Sequence, residues 1–298
     1  GDTGEVRVEQ RLVRCDQDAK VRYTGDGRQI HGSEFWLAHV RGEDPFTRIT
    51  LDVDYVAGIK GEQNSEADVA VKNLLELAPS VPGAQGSICD TMLRGTHLDE
   101  LQRYTDWIVM NPIAAESVDA KTGDRVEKSH HLRTVTFTYT NGAKETVDIW
   151  YVGGRLHRLA FTDDGVEVPI PLDRISNPVR RNGDGTFRHY VEYLVPNPRG
   201  GEPRTIREPT YNRPADTFNR AENIRQIPPG DPDYIRLMGR RSDAEAANRQ
   251  VDDHLYLRRA RSDRARRQLF DLLAHALVQN AIARHRHRLR AGPAHRAA

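Results

Sequence analysis

Gly86 to His97 reads GSICDTMLRGTH. A short apolar run, Ile88-Cys89, ends on Asp90, and Arg94, Gly95 and His97 follow at once. An apolar run bounded this way predicts a buried strand that stops on a carboxylate and turns into a basic loop. THLDELQRYT then predicts a short helix with Leu98 and Leu101 inward. The wholly apolar WIVMNPIAA, Trp107 to Ala115, predicts a strand covered on both faces.

Upstream of the stretch, β-branched and alternating residues predict three strands: Lys20 to Thr24, Ser33 to Val40 and Thr47 to Val56, with RGEDPF as a turn. SEADVAVKNLLELA changes to helical spacing behind a capping serine, with Val69, Leu74 and Leu77 near one face, until PSVPG stops it. The order is strand, strand, strand, helix, strand, helix, strand.

From residue 116 to about 230 the pattern is β-rich. Strands alternate around Asn141-Gly142 and Gly153-Gly154, both hairpin signals. TFRHYVEYLVP is another strand, and NPRGGEPRTIREPTYNRPADTF reads as a Pro/Gly/Arg-rich loop. Helices return at Ser242, three residues before Glu245 in capping-box spacing. A long helix follows with Leu269, Leu272, Leu273, Ala276, Leu277 and Ala281 as its core-facing stripe.

Composition narrows the function classes. The 298 residues are enough for one large domain or two small ones. No apolar window approaches the roughly 20 residues of a membrane span. Two cysteines, Cys15 and Cys89, make neither a disulfide framework nor a tetrahedral zinc site, so a reducing, cytoplasmic setting is expected. The net charge of +1 hides segregation: from Arg236 onward there are fifteen arginines against six acidic residues. A basic helical segment is either a solvated surface or the footprint of a polyanion, most often nucleic acid.

Three acidic residues far apart in sequence are candidates for chemistry. Asp26 sits in YTGDGR after the first strand, Asp90 ends the fourth, and Glu245 lies in the first turn of a late helix. Each has a structural alternative: Asp26 as a hairpin-turn residue, Asp90 as a helix cap, Glu245 as a capping-box acid. Asp52 and Asp54 rival Asp26, but counting strands from them leaves no hairpin before the helix. If the three converge, their repulsion calls for hard cations, Mg²⁺ or Mn²⁺. A pair of such ions about 3.5–4 Å apart activates an attacking oxygen and stabilises the leaving oxygen of a phosphodiester.

With GDG on the first strand and GSICDTMLRGTH on the fourth, the chain resembles the ribonuclease-H-like core of DDE transposases. It is most similar to the bacterial insertion-sequence group in which a β-rich insertion precedes the last catalytic helix. That group spaces four residues as Y-x2-R-x3-E-x6-K. Arg241 and Glu245 keep the arginine and glutamate, whereas Met238 and Asp252 stand where the tyrosine and lysine would be.

The resemblance implies an α/β fold, a mixed five-stranded sheet flanked by helices with an inserted β-rich subdomain. Residues 1–115 would begin the catalytic core, 116–235 would form the insertion, and 236–298 would complete the core with helices. It implies Asp26, Asp90 and Glu245 as a catalytic, metal-binding triad for Mg²⁺ or Mn²⁺. Arg241 would pair with a DNA phosphate through its planar fork, and Arg94 and His97 would be DNA-binding neighbours. Double-stranded DNA is the expected partner and a homodimer the expected assembly; the family usually carries a helical DNA-binding domain ahead of the core, so the expectation is a fragment, a truncated element, or a catalytic domain whose reader lies upstream. Two other classes compete: a non-catalytic DNA-binding remnant, and a structure-specific nuclease on the same fold.

Overall fold

A computed structural model describes residues 16, 18–23, 27, 29–41, 47–59, 63–113, 116–118, 121–214, 216–254 and 262–290. In chain order its first elements are β1 (Lys20–Tyr23), β2 (Gln29–Gly32), β3 (Glu34–Val40), β4 (Ile49–Val56), α1 (Glu66–Leu77), β5 (Gly86–Ile88), α2 (Gly95–Tyr104) and β6 (Ile108–Met110). Ten strands follow: β7 (Glu116–Val118), β8 (Arg125–Glu127), β9 (Ser129–Thr138), β10 (Lys144–Val152), β11 (Arg155–Phe161), β12 (Glu167–Pro171), β13 (Asp173–Ser176), β14 (Val179–Arg181), β15 (Phe187–Val195) and β16 (Arg204–Pro209). The chain closes with α3 (Arg220–Asn223), α4 (Pro232–Met238), α5 (Ser242–His254) and α6 (Ala265–Arg290).

The fold is mixed α and β, in two compact units. A terminal unit joins residues 1–73 to 242–298, and a central unit spans 74–241. The sequence places its divisions at 115/116 and 235/236; the compact units divide inside α1 and just before α5.

In the terminal unit, β1 pairs with β2 and β3 with β4, both antiparallel. The β3–β4 register shifts between Ala38 and His39, a bulge that re-aims the side chains beside it. Helix α6 is tied to this unit at both ends of its packed half. At its N-terminus, Asp16 accepts from the Arg264 amide and Asp18 from the Ala265 amide, each at 2.9 Å, so distant carboxylates satisfy amides the helix leaves orphaned. Further along, the Asn280 amide group accepts from the Thr50 N–H and donates to the Thr50 carbonyl, each at 2.8 Å.

The central unit contains two antiparallel sheets, β12-β11-β10-β9 and a second in which β15 pairs with β13 and β14 on one side and β16 on the other. Alternate residues point inward, as a half-buried sheet requires. Val135, Phe137, Ile149, Tyr151, Val191, Tyr193 and Ile206 meet in one core drawn from both sheets. Gly153 and Gly154, with φ of 54° and 95°, form the two-residue turn between β10 and β11, a conformation that favours glycine at both places.

The stretch Gly86 to His97 belongs to this unit. β5 runs parallel to β6, with Gly86 opposite Ile108. A Cβ on Gly86 would lie 2.1 Å from the Ile108 carbonyl oxygen, so only glycine permits this approach. A Cβ on Gly95 would come within 2.8 Å of the Glu222 Cβ. A buried polar seam links α2 and β6 to β15 and the chain after α3. The fully buried His189 has its Nε2 2.8 Å from the Thr105 carbonyl and its Nδ1 2.8 Å from Gln226 Nε2. Gln226 Oε1 accepts from the Val109 amide at 2.8 Å, and the Thr210 hydroxyl donates to Gln102 Oε1 at 2.7 Å. Nearby, the buried Glu208 accepts from Arg220 at 2.9 Å and from Arg133 at 3.1 Å.

Several sequence expectations need correction. Strand β5 stops at Ile88, so Asp90 stands two residues beyond it. Strand β6 ends at Met110 rather than Ala115, because Pro112 has no amide for a ladder bond. The expected Pro/Gly/Arg loop contains β16, whose Ile206 and Glu208 face inward. On α6 the buried residues are Ala265, Ala276 and Ala283, while Leu273 and Leu277 of the expected stripe are exposed. Leucines at helical spacing run along more than one face here, and Asn280 and His275 share the packed face with alanines. Among the described residues, β1 pairs with β2, β3 with β4 and β5 with β6.

Candidate functional site

Asp90 stands just past the carboxyl end of a parallel strand, the edge where open α/β sheets commonly place ligand-binding groups. Its carboxylate is exposed; it accepts from the Thr91 amide at 2.5 Å and from Arg241 Nη2 at 3.0 Å. The two partners of that ion pair are 151 positions apart in sequence. Arg241 ends the short 3₁₀ turn Gly239–Arg241 that follows α4.

The turn after Asp90 is held by a residue the sequence reading missed. Glu222 accepts a short hydrogen bond from the Gly95 amide, and its other carboxylate oxygen lies 4.0 Å from Arg94. Glu222 is itself placed by Asn219, whose side chain accepts from the Glu222 amide at 3.0 Å as the N-cap of α3. The Asn219-x-x-Glu222 spacing is a capping-box signal, legible in the sequence but hidden there inside an apparent loop. His97, in the first turn of α2, lies with its Nδ1 3.0 Å from the Arg94 amide nitrogen and accepts from it, a capping contact. Arg94 is exposed.

Asp90, Arg94, His97 and Arg241 all belong to the central unit, and the structure brings Asp90 and Arg241 into contact. Glu245 belongs to the terminal unit, exposed in the first turn of α5, where it borders a surface depression with Asn248, Arg249, Asp252 and Asp253. Asp26 lies outside the described residues. The rivals are engaged in local bonds: Asp52 accepts from the Val53 amide at 2.9 Å, and Asp54 from Asn73 at 3.2 Å. Among the described residues, no three or more His, Cys, Asp or Glu side chains come together to hold a metal ion. Of the three candidate carboxylates, the described central-unit site holds Asp90. What it presents is one carboxylate neutralised by one guanidinium beside a basic turn.

A second constellation lies wholly within the terminal unit. A cleft of about 80 Å³ opens between β3, the start of β4, α5 and α6. His39, Arg48, Gln250, His275, Gln279 and Arg286 contribute its polar lining. Burial, together with the positive charge of Arg48 and His275, pushes the His39 imidazole down to about 4. No helix of the described residues is long and apolar enough to cross a membrane. Compared with family models, curated proteins and solved structures, the chain matches none.

Proposed function

We propose that this chain is the catalytic domain of a DDE-type DNA transposase, with a ribonuclease-H-like core that cuts and rejoins transposon ends. The observation that carries the reading is the 3.0 Å contact between Asp90 and Arg241, two residues assigned to one site from motifs far apart in the chain. Asp90 would serve with Asp26 and Glu245 in holding Mg²⁺ or Mn²⁺, the ion supplying activation of the attacking oxygen. Arg241 would move from Asp90 to a DNA phosphate when substrate and cation arrive, since Asp90 is exposed, Arg241 is half-exposed and such a pair is weakly held. Arg94 and His97 would line the path of the DNA. The arginine-rich segment from Arg236 would add sequence-independent affinity that weakens steeply with salt.

The same ion pair favours a second reading. A carboxylate already neutralised by arginine has less need of a cation, as expected of a remnant that binds DNA without cutting it. The deciding experiment incubates the full chain with DNA carrying the inverted repeats that flank its reading frame, with and without Mg²⁺. Mg²⁺-dependent cleavage and strand transfer, reduced at least 100-fold by Asp90→Asn with DNA binding retained, is the expected result. Binding without cleavage by either protein overturns the transposase in favour of the remnant. Cleavage of branched DNA without strand transfer overturns it in favour of a nuclease.

A further inference from the structure

The cleft in the terminal unit has unmet hydrogen-bonding capacity of one sign. The His39 Nδ1 lies 3.2 Å from the Thr50 hydroxyl; in the tautomer that carries its proton on Nε2, the hydroxyl donates to Nδ1. That Nε2 is buried and has no hydrogen-bond partner among the described residues. The Arg48 Nε is in the same condition, buried and without a hydrogen-bond partner. Two orphaned N–H donors in one cleft are costly unless an acceptor occupies it.

Charge points the same way. The described lining carries Arg48, Arg286, His39 and His275 and no carboxylate. Asp243 on α5 is shared: it lies 2.8 Å from Arg41 Nε and 3.8 Å from Arg48 Nη2. Its closer contact is with Arg41, so the lining residue Arg48 is only loosely paired. At about 80 Å³ the cleft exceeds the roughly 10–15 Å³ that one water needs and suits a group of several oxygens. His275, Gln279 and Arg286 follow one another on one face of α6, and Gln250 is fixed from α5 by donating to Gln279 Oε1 at 2.8 Å. The donors are thus held on three elements and need little reordering on binding.

We propose that this cleft is a binding site for a tetrahedral oxyanion, a phosphate group, with His39 and Arg48 donating to its oxygens and Arg286 adding positive charge. The site is independent of the reading given for Asp90 and Arg241. Phosphate chemistry has two sources, a free anion and the phosphodiester of a nucleic acid, and a competition experiment separates them.

The test follows the His39 ring resonance of the full chain by NMR while inorganic sulfate, whose charge is constant from pH 4 to 8, is added at fixed ionic strength. Saturable shifts are expected, with the His39 titration midpoint rising from about 4, because a bound anion favours the imidazolium. The groups that share its field are Arg48 and Arg286, Asp243 on α5, and His275, whose ring lies 5.2 Å from that of His254. Arg48→Gln is expected to weaken sulfate binding at least tenfold, and Arg288→Gln, an exposed charge on α6 outside the cleft, to leave it within twofold. Inorganic phosphate should displace sulfate. A short DNA duplex that also displaces it identifies the phosphodiester as the natural source, and a duplex that does not identifies a free anion. No saturable shift at His39, or equal weakening by Arg48→Gln and Arg288→Gln, overturns the site.

Discussion

Two histidines, the buried His189 of the central unit and the half-buried His39 of the terminal unit, have their titration displaced in the same direction for different reasons. His189 in the central unit is lowered by burial, while the carbonyls around it pull the other way. Both ring nitrogens are matched, one by Thr105 and one by Gln226. His39 in the terminal unit is lowered by burial and further by the cations beside it, and only one ring nitrogen is matched. A histidine bonded on both sides joins parts of a core. One bonded on a single side, among positive charges, is set to receive something.

That contrast can be broken by substitution. Glu208 lies beside the seam, holding the buried Arg220 and the half-exposed Arg133. Glu208→Ala should have the largest effect, about 3 kcal/mol in denaturant unfolding, because the buried Arg220 guanidinium loses one of its two carboxylates and keeps Asp216 alone. Gly86→Ala should cost about 1–3 kcal/mol or more, since the added methyl meets backbone rather than a side chain that can swing aside. Gln226→Ala should cost about 2–3 kcal/mol by leaving His189 and the Val109 amide unpaired. In the cleft the outcome differs. His39→Leu removes an orphaned donor along with one hydrogen bond and should change stability by less than about 1 kcal/mol. A Gln226→Ala protein as stable as wild type, or a His39→Leu protein that fails to fold, would erase the distinction.

Acid sharpens the contrast further. His39 and His189 both have folded values below the usual histidine value of 6.5, so the unfolded chain binds protons more readily than the folded one. Their contribution to stability is complete above pH 6.5 and is lost as the pH falls below it. For His39 the loss continues down to about pH 4. Its slope approaches about 1.4 kcal/mol per pH unit. Unfolding midpoints measured from pH 7 to 4 should show a shallower decline in His39→Leu than in wild type.

Local chemistry was legible in the sequence. Asn141-Gly142 and Gly153-Gly154 both lie at strand turns, and Ser65 begins α1 with Asp68 reaching back to its amide at 3.1 Å. These features depend on neighbours within a few residues. What sequence hid depends on distant partners. The strand β16 is disguised by its arginines and prolines, because it is specified by the β15 ladder rather than by its own pattern. The packed face of α6 is chosen by the edge of β4, which asks for an amide at position 280 and not for the leucines beside it. At the candidate site, Asp90 and Arg241 stand out from their motifs, whereas Glu222 is recognisable only once the fold brings it to Gly95. The orphaned donors of the cleft have no sequence signature, since being unpartnered is a property of three dimensions.

The grip of Asn280 on Thr50 bears on how this chain behaves in a crowded solution. A lone pair of strands offers its outer rim to any passing extended peptide. Here a helix residue supplies the donor and acceptor that such a peptide would supply, so the rim is occupied at that point from within. Exchange of that asparagine for leucine would uncover it, and the hairpin would become a template for stacking copies of the protein into insoluble ribbons.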